Sequence, residues 1–242
     1  MCGRFVFLNT HRLAEQFGPL LHTFTETRPD LMKMARELGG LDLGRPRFNI
    51  APTQQILTIV NHGSGREVEI MRWGFIPSWA KADNLPRNTF MARDDRLLES
   101  GMWRGSLRHK RCVIPSDGYY EWQRSGGSSR PYFVHPKDGR IWGFAGLYDV
   151  WNSPDGSSIA SCAIITTSAN ERLSEIHDRM PAILDGQAEE MWLDPSVDDR
   201  QALQSIVRPL APDLTEFYPV STLVNSVAND SADNIARAGT LL

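Results

Sequence analysis

The sequence predicts a single α+β domain over residues 1–242, β-rich and barrel-like at its core with helices at the periphery. Three observations predict it. Short apolar or alternating runs crowd the middle of the chain, and helical patterns keep to its two ends. No internal repeat, low-complexity tract or interdomain linker divides the 242 residues. Hydrophobic content of 41% with 23% charged residues fits a folded chain that buries a sizeable core.

Taken in order, Asn9-Thr10 caps a short helix at 11–17, and Pro29-Asp30 opens another at 30–38. Residues 54–60 and 67–73 read as strands, joined by Asn61-His62-Gly63-Ser64-Gly65 into a hairpin. Apolar runs at 112–114, 119–123, 132–134, 141–150 and 159–167 continue the strands, with tight turns at Asp138-Gly139 and Asp155-Gly156. Helices are expected at 170–176, where Ser168-Ala169-Asn170-Glu171 has a capping-box pattern, and at 187–192 and 199–207.

No run of about 18 apolar residues exists, and the start lacks the basic and apolar regions of a secretory signal. A cytoplasmic protein with reduced thiols is therefore expected. Cys112 and Cys162 fall in strand-like apolar runs, and three widely spaced cysteines support neither a disulfide framework nor a zinc site. No metal or cofactor is called for. Net charge is −3, yet residues 87–130 carry nine Lys/Arg against five Asp/Glu, while residues from 171 onward carry five against thirteen. Arginines outnumber lysines 22 to 4, and the guanidinium fork suits bidentate phosphate contact. Charge permits a phosphate ligand without demanding one.

Cys2 is the most informative residue. If Met1 is trimmed, Cys2 carries a free α-amine and a thiol on adjacent carbons, and such a 1,2-aminothiol attacks one aldehyde carbon twice. The amine gives an imine, and the thiol closes it to a thiazolidine. Unperturbed pKa values of about 7.7–8.0 and about 8.5 leave usable fractions of both nucleophiles near neutrality. The bland reading is a small buried residue that happens to come second.

Three further segments can carry chemistry. In Asp117-Gly118-Tyr119-Tyr120-Glu121-Trp122, strand alternation puts Tyr120 and Trp122 on one face and Glu121 with Tyr119 on the other. A carboxylate among aromatics can carry protons near neutrality, although a lone strand Glu is more often simply at the surface. His177, before Asp178-Arg179-Met180-Pro181, where Pro181 should stop the expected helix, is either a proton shuttle or the cap of that helix, with the helix dipole favouring its imidazolium. The irregular stretch 45–53 and the aromatic stretch 73–79 place rings beside arginines. Trp73 and Phe75 read as core, Trp79 as less committed.

Together these stretches resemble the SRAP family, the SOS-response-associated peptidases. The matching segments, in order, are Met1-Cys2-Gly3-Arg4-Phe5, Phe48-Asn49-Ile50-Ala51-Pro52-Thr53, Trp73-Gly74-Phe75-Ile76-Pro77, Asp117-Gly118-Tyr119-Tyr120-Glu121-Trp122, Ile176-His177-Asp178-Arg179-Met180-Pro181 and Val220-Ser221. The resemblance implies a monomeric sensor of abasic sites in single-stranded DNA that cross-links through a thiazolidine on Cys2. It further implies Met1 removal by processing or autoproteolysis, an AP-lyase-type activity, and association with the nucleoid when DNA is damaged. By the same resemblance Cys2 is the nucleophile, His177 opens the sugar ring and Glu121 handles protons beside the cysteine amine. Arg4 and Arg93 match phosphate-gripping positions, and Asn49, Pro52, Trp79 and Thr166 the wall of the site.

One departure stands out. The family's Asn-x-Arg segment is Met91-Ala92-Arg93 here, so a thioether replaces an amide, unless Asn88 reaches in from three residues upstream. Two other classes compete. An N-terminal-nucleophile glutamine amidotransferase also starts Cys-Gly, but its customary Asn-Gly dipeptide is missing. A non-covalent single-stranded DNA-binding module would leave Cys2 dispensable.

Overall fold

The computed structural model describes residues 3–8, 12–17, 45–82, 86 and 88–239. Cys2, the caps at 9–10 and the helix expected at 30–38 lie outside them. A five-stranded barrel forms the centre, built from β3 (Gln55–Asn61), β4 (Arg66–Trp73), β6 (Arg111–Ser116), β9 (Trp142–Asn152) and β10 (Ser158–Ser168). The expected hairpin is β3 with β4, in register from Gln55↔Arg72 to Asn61↔Arg66. β3 also pairs with β6, and β6 with β9. The ring closes through β10, which lies antiparallel to β9 and parallel to β4. Closure leaves no open edge in the barrel wall.

The interior is filled with side chains rather than solvent. Ile114, Ile164, Met71 and Trp73 are buried there, together with the thiols Cys112 and Cys162, whose burial raises both thiol pKa values. Both cysteines are thus the inert strand residues that their sequence contexts predict. At Gly146 a Cβ would stand 2.3 Å from Cδ1 of Ile114 and 2.8 Å from Sγ of Cys112, so the interior side chains of β6 already fill the space a side chain would need.

A second sheet, in the order β13-β8-β7-β1-β2, leans on the barrel. It comprises β1 (Arg4–Phe7), β2 (Arg47–Ile50), β7 (Gly118–Ser125), β8 (Ser128–Pro136) and β13 (Thr215–Pro219). Alternation divides its residues as expected. Phe5, Phe7, Tyr119 and Val134 join the barrel core, while Val6, Tyr120 and Phe133 pack beneath Val220 and Val224 of the C-terminal segment. Gly118, at φ 153°, starts β7 where a Cβ would meet the Val134 carbonyl at 2.6 Å. Tyr120 Oη donates to the Phe48 carbonyl at 2.7 Å and ties β7 across to β2.

Helices α1 (Leu13–Phe17), α2 (Arg104–His109), α3 (Gly186–Leu193) and α4 (Arg200–Ser205) lie outside the strands. Asp199 caps α4, its side chain accepting from the Gln201 and Ala202 N–H groups. None of the described helices is long and apolar enough to cross a membrane.

Three expectations need correction. Residues 170–176 form only a 3-10 turn over Leu173–Glu175, because Asn170 rather than Ser168 caps it, accepting from the Leu173 N–H at 3.0 Å. Pro181 does not end a helix; it lies in β11 (Arg179–Pro181), paired with Thr166. Residues 45–53 are not wholly irregular, since β2 runs through them. The basic run at 87–130 is also partly interior. Arg111 is 6% exposed and donates to the carbonyls of Leu107 and Arg108 on α2 and of Trp192 and Asp194 at the end of α3. There it satisfies helix C-termini instead of facing a ligand.

Gly146→Ala should overpack the barrel interior against Ile114 and Cys112 and cost about 1–3 kcal/mol. At this chain length that lowers Tm by about 2–4 °C per kcal/mol, measurable by calorimetry. An unchanged Tm would show that the barrel is looser than described.

Candidate nucleic-acid interface

Two groups of predicted residues meet at one rim of the fold. The first lies on neighbouring strands of the second sheet. Arg4 opens β1 and pairs with Tyr120 of β7, so Glu121 follows directly at the end of the sheet where the N-terminus enters. Glu121 is 4% exposed, and its Oε1 accepts from the Trp122 N–H at 3.2 Å. The Arg4 guanidinium donates to Asn49 Oδ1 at 3.1 Å and to the Val224 and Asn225 carbonyls at 2.7 and 3.3 Å. Burial lowers its pKa from the ordinary arginine value, yet a guanidinium stays charged.

Asn49 is fully buried, and its amide holds the C-terminal loop. Nδ2 donates to the carbonyls of Val224, Ser226 and Asn229 at 3.2, 2.9 and 2.8 Å. Asp230 returns the grip by accepting from the Phe48 and Asn49 N–H groups and from Arg47. Trp122 Nε1 donates to Asn225 Oδ1 at 2.9 Å. The loop at 222–229 is therefore part of the site's frame. Its nearest signal in the sequence is Val220-Ser221, just upstream.

The second group hangs on the C-terminal end of β10. β5 (Met91–Arg93) runs parallel to it, with Thr166 opposite Arg93, and β11 runs antiparallel on the other side. Thr166 is fully buried, its Oγ1 within 3.4 Å of the Ala92 carbonyl. Arg179 is nearly buried, donating to Asp94 Oδ1 at 2.6 Å and to the Thr166 carbonyl. Thr167 Oγ1 completes the cluster at 2.8 Å from Asp94 Oδ2. Arg179 has no place among the candidates drawn from the sequence, and only its position two residues after His177 could have suggested it.

His177 is a quarter exposed, with Nδ1 accepting from the Arg179 N–H at 3.0 Å and lying 2.8 Å from Asp178 Oδ1. The backbone contact suits a neutral ring with its proton on Nε2; the carboxylate contact suits an imidazolium. Either form of the ring thus has a partner. Since only a 3-10 turn precedes His177, no α-helix dipole acts on it.

Gln123 connects the two groups. Its Nε2 donates to the Glu175 carbonyl at 2.9 Å, two residues beyond Glu121 and two residues before His177. Arg93 is half exposed and forks onto Asp95, Nε to Oδ1 at 3.0 Å and Nη2 to Oδ2 at 2.7 Å. That hydrogen bonding raises the Arg93 pKa and lowers that of Asp95. Met91 packs on the barrel core, and Asn88 is exposed in a left-handed conformation at φ 57° that asparagine tolerates.

Trp79 stands apart at 65% exposure. Its loop is anchored by Ser161 to the Ile76 N–H and by Asp149 to the Ser78 N–H, at 2.8 and 2.7 Å. Ser161 lies five residues before Thr166 on β10, about 16 Å at the rise of a strand. Only an extended ligand reaches from one to the other. A cavity of about 390 Å³ beside Gln16, Arg66, Trp142 and Glu189 contains none of the predicted residues. Among the described residues no group of three or more His, Cys, Asp or Glu could hold a metal ion.

The chain is 44% identical over 191 residues to the abasic site processing protein YoqW of Bacillus subtilis, covering 78% of this chain and 85% of that protein. It is 38% identical to the abasic site processing protein HMCES of Gallus gallus, covering 78% of this chain and 65% of that one. A crystal structure of a protein from Bacteroides thetaiotaomicron superimposes with a TM-score of 0.69 at 28% identity, covering 78% of this chain and 84% of the other. The SOS response associated peptidase (SRAP) family model matches residues 1–227, and the chain belongs to that family.

Proposed function

We propose that this protein recognises abasic sites in single-stranded DNA and captures them covalently through Cys2 once Met1 has been removed. Removal is by cellular processing or autoproteolysis. The abasic sugar is a cyclic hemiacetal in equilibrium with an aldehyde. His177 donates a proton to the ring oxygen as the C1′–O4′ bond breaks and the anomeric hydroxyl gives up its own proton, and the Cys2 amine adds to the freed carbonyl carbon. Loss of one water gives the imine. The Cys2 sulfur then adds to the same carbon, and the nitrogen regains a proton to complete the thiazolidine. Glu121 carries protons to and from the amine through these steps. β-Elimination from the imine is the lyase branch that ring closure suppresses.

Support comes above all from the hydrogen bond of Gln123 Nε2 to the Glu175 carbonyl, which ties the strand that carries the buried Glu121 to the turn that precedes His177. Arg4 and Arg93 serve the phosphates, with Asn49 fixing Arg4 and the loop at 222–229. Thr166 and Arg179 form the floor beside Arg93, while Pro52 and Trp79 pack on flanking nucleotides. An abasic position has no base to stack, so the strand is held by its backbone and by its neighbours. Met91 contributes no amide, leaving the sugar less firmly oriented. The protein acts as a monomeric single domain over residues 1–242, in the cytoplasm and at damaged nucleoid DNA.

Intact mass of the trimmed protein after incubation with an abasic single strand should rise by the mass of the strand less one water. Cys2→Ser should give no adduct surviving heat and detergent, and a wild-type mass without any gain refutes covalent capture. Met91→Asn should raise the cross-linking rate several-fold in a single-turnover gel assay; an unaltered rate would show the amide to be unnecessary. Because Asp95 competes with phosphate for Arg93, Asp95→Asn should tighten binding to single-stranded DNA. Arg93→Ala should weaken it and reduce the slope of log K against log salt by about 0.7. Titration by fluorescence anisotropy at several salt concentrations reads both, and equal slopes would remove Arg93 from the phosphate contacts.

A further inference from the structure

Thr53 is held in a conformation that a β-branched side chain adopts only at a steric cost. Its φ is +76°, in the left-handed region where Cβ crowds the following carbonyl. The fold demands that backbone. Thr53 N–H donates to the Trp73 carbonyl at 2.7 Å, and Trp73 N–H donates to the Gln54 carbonyl at 2.9 Å. Gln54 Oε1 in turn accepts from the Ala51 N–H at 3.2 Å and from Arg47 at 2.8 Å. None of these bonds uses the Thr53 side chain, which is exposed and makes no hydrogen bond among the described residues. Glycine or asparagine would satisfy the same backbone with less strain. A strained residue whose side chain does nothing for the fold points to a use outside it.

Its place suggests which use. β2 runs antiparallel to β1 with Ile50 opposite Phe5, so residues 51–53 continue toward the end of the sheet where Arg4 stands. Trp73, which holds the Thr53 N–H, donates from its indole to the Phe90 carbonyl at 2.9 Å, one residue before β5 begins. Thr53 thus follows β2 at the end of the sheet where Arg4, one of the two arginines proposed to hold phosphates, stands. We infer, on the foundation of the proposed function, that Thr53 is a DNA-contacting residue whose hydroxyl donates a hydrogen bond to a phosphate oxygen of the bound strand. Threonine hydroxyls are common phosphate donors, and a rigid turn presents one at little further entropic cost.

Three variants test this by anisotropy with an abasic single strand and by melting. Thr53→Val keeps shape and strain but lacks the hydroxyl, and should weaken binding about tenfold, the scale of a hydrogen bond to a charged group. Thr53→Ser should bind like wild type. Thr53→Gly should bind as weakly as the valine variant while melting no lower than wild type, because relief of strain offsets the freedom gained by the unfolded chain. Thr53→Val binding as wild type, or Thr53→Gly melting several degrees lower, overturns the inference. A wild-type protein that neither binds nor cross-links the abasic strand removes the underlying function as well, whereas wild-type cross-linking with an indifferent Thr53→Val removes only the role of Thr53.

Discussion

Pairing along both edges of β10 is the constraint on which the rest of the structure depends. Its first half joins β9 to β4 and closes the barrel. Its second half outruns both partners, and β5 and β11 take over along the exposed edges. Unpaired backbone at that depth would be costly, so the two short strands are drawn in by hydrogen bonding more than by side-chain preference. They bring Arg93 and Arg179 with them. The rim is thus a by-product of closing the barrel with a strand longer than the barrel requires.

The arginines divide into two kinds by what surrounds them. Arg111 caps two helix ends from the interior, and Arg179 is consumed by Asp94 and Thr166, so both lend rigidity. Arg4 holds Asn49 and carbonyls of the C-terminal loop, and Arg93, among the described residues, forks onto an exposed carboxylate. Exposed ion pairs contribute little to stability and exchange readily for a phosphate. Overall charge is therefore a poor guide to what each arginine does, since their local partners differ.

Much of the barrel was legible because its strands are long and apolar. The hairpin of β3 and β4, the glycine turns on either side of β9 and the burial of Cys112 and Cys162 follow from local patterns. So does the opposition of Tyr119 and Tyr120 across β7. The two-residue to five-residue strands were not legible, because so short a segment carries no period and is specified by partners far away in the chain. The 3-10 turn before His177 misled for a related reason: its capping pattern is real, but Asn170 competes for the cap and the chain is pulled into β11.

By itself the sequence determined which chemical groups exist and the order in which they come: a cysteine at position 2, Glu121 among aromatics, His177 beside a carboxylate, and a thioether at Met91. Those are properties of single residues and their immediate neighbours. Tertiary structure alone decided which of them share a rim, that Asn49 is spent on the loop at 222–229, that Asp95 occupies Arg93, and that Thr53 bears its strain. Each of these rests on contacts spanning many residues or on a backbone angle imposed from across the sheet. Hydrogen bonds between distant segments leave no trace in local periodicity.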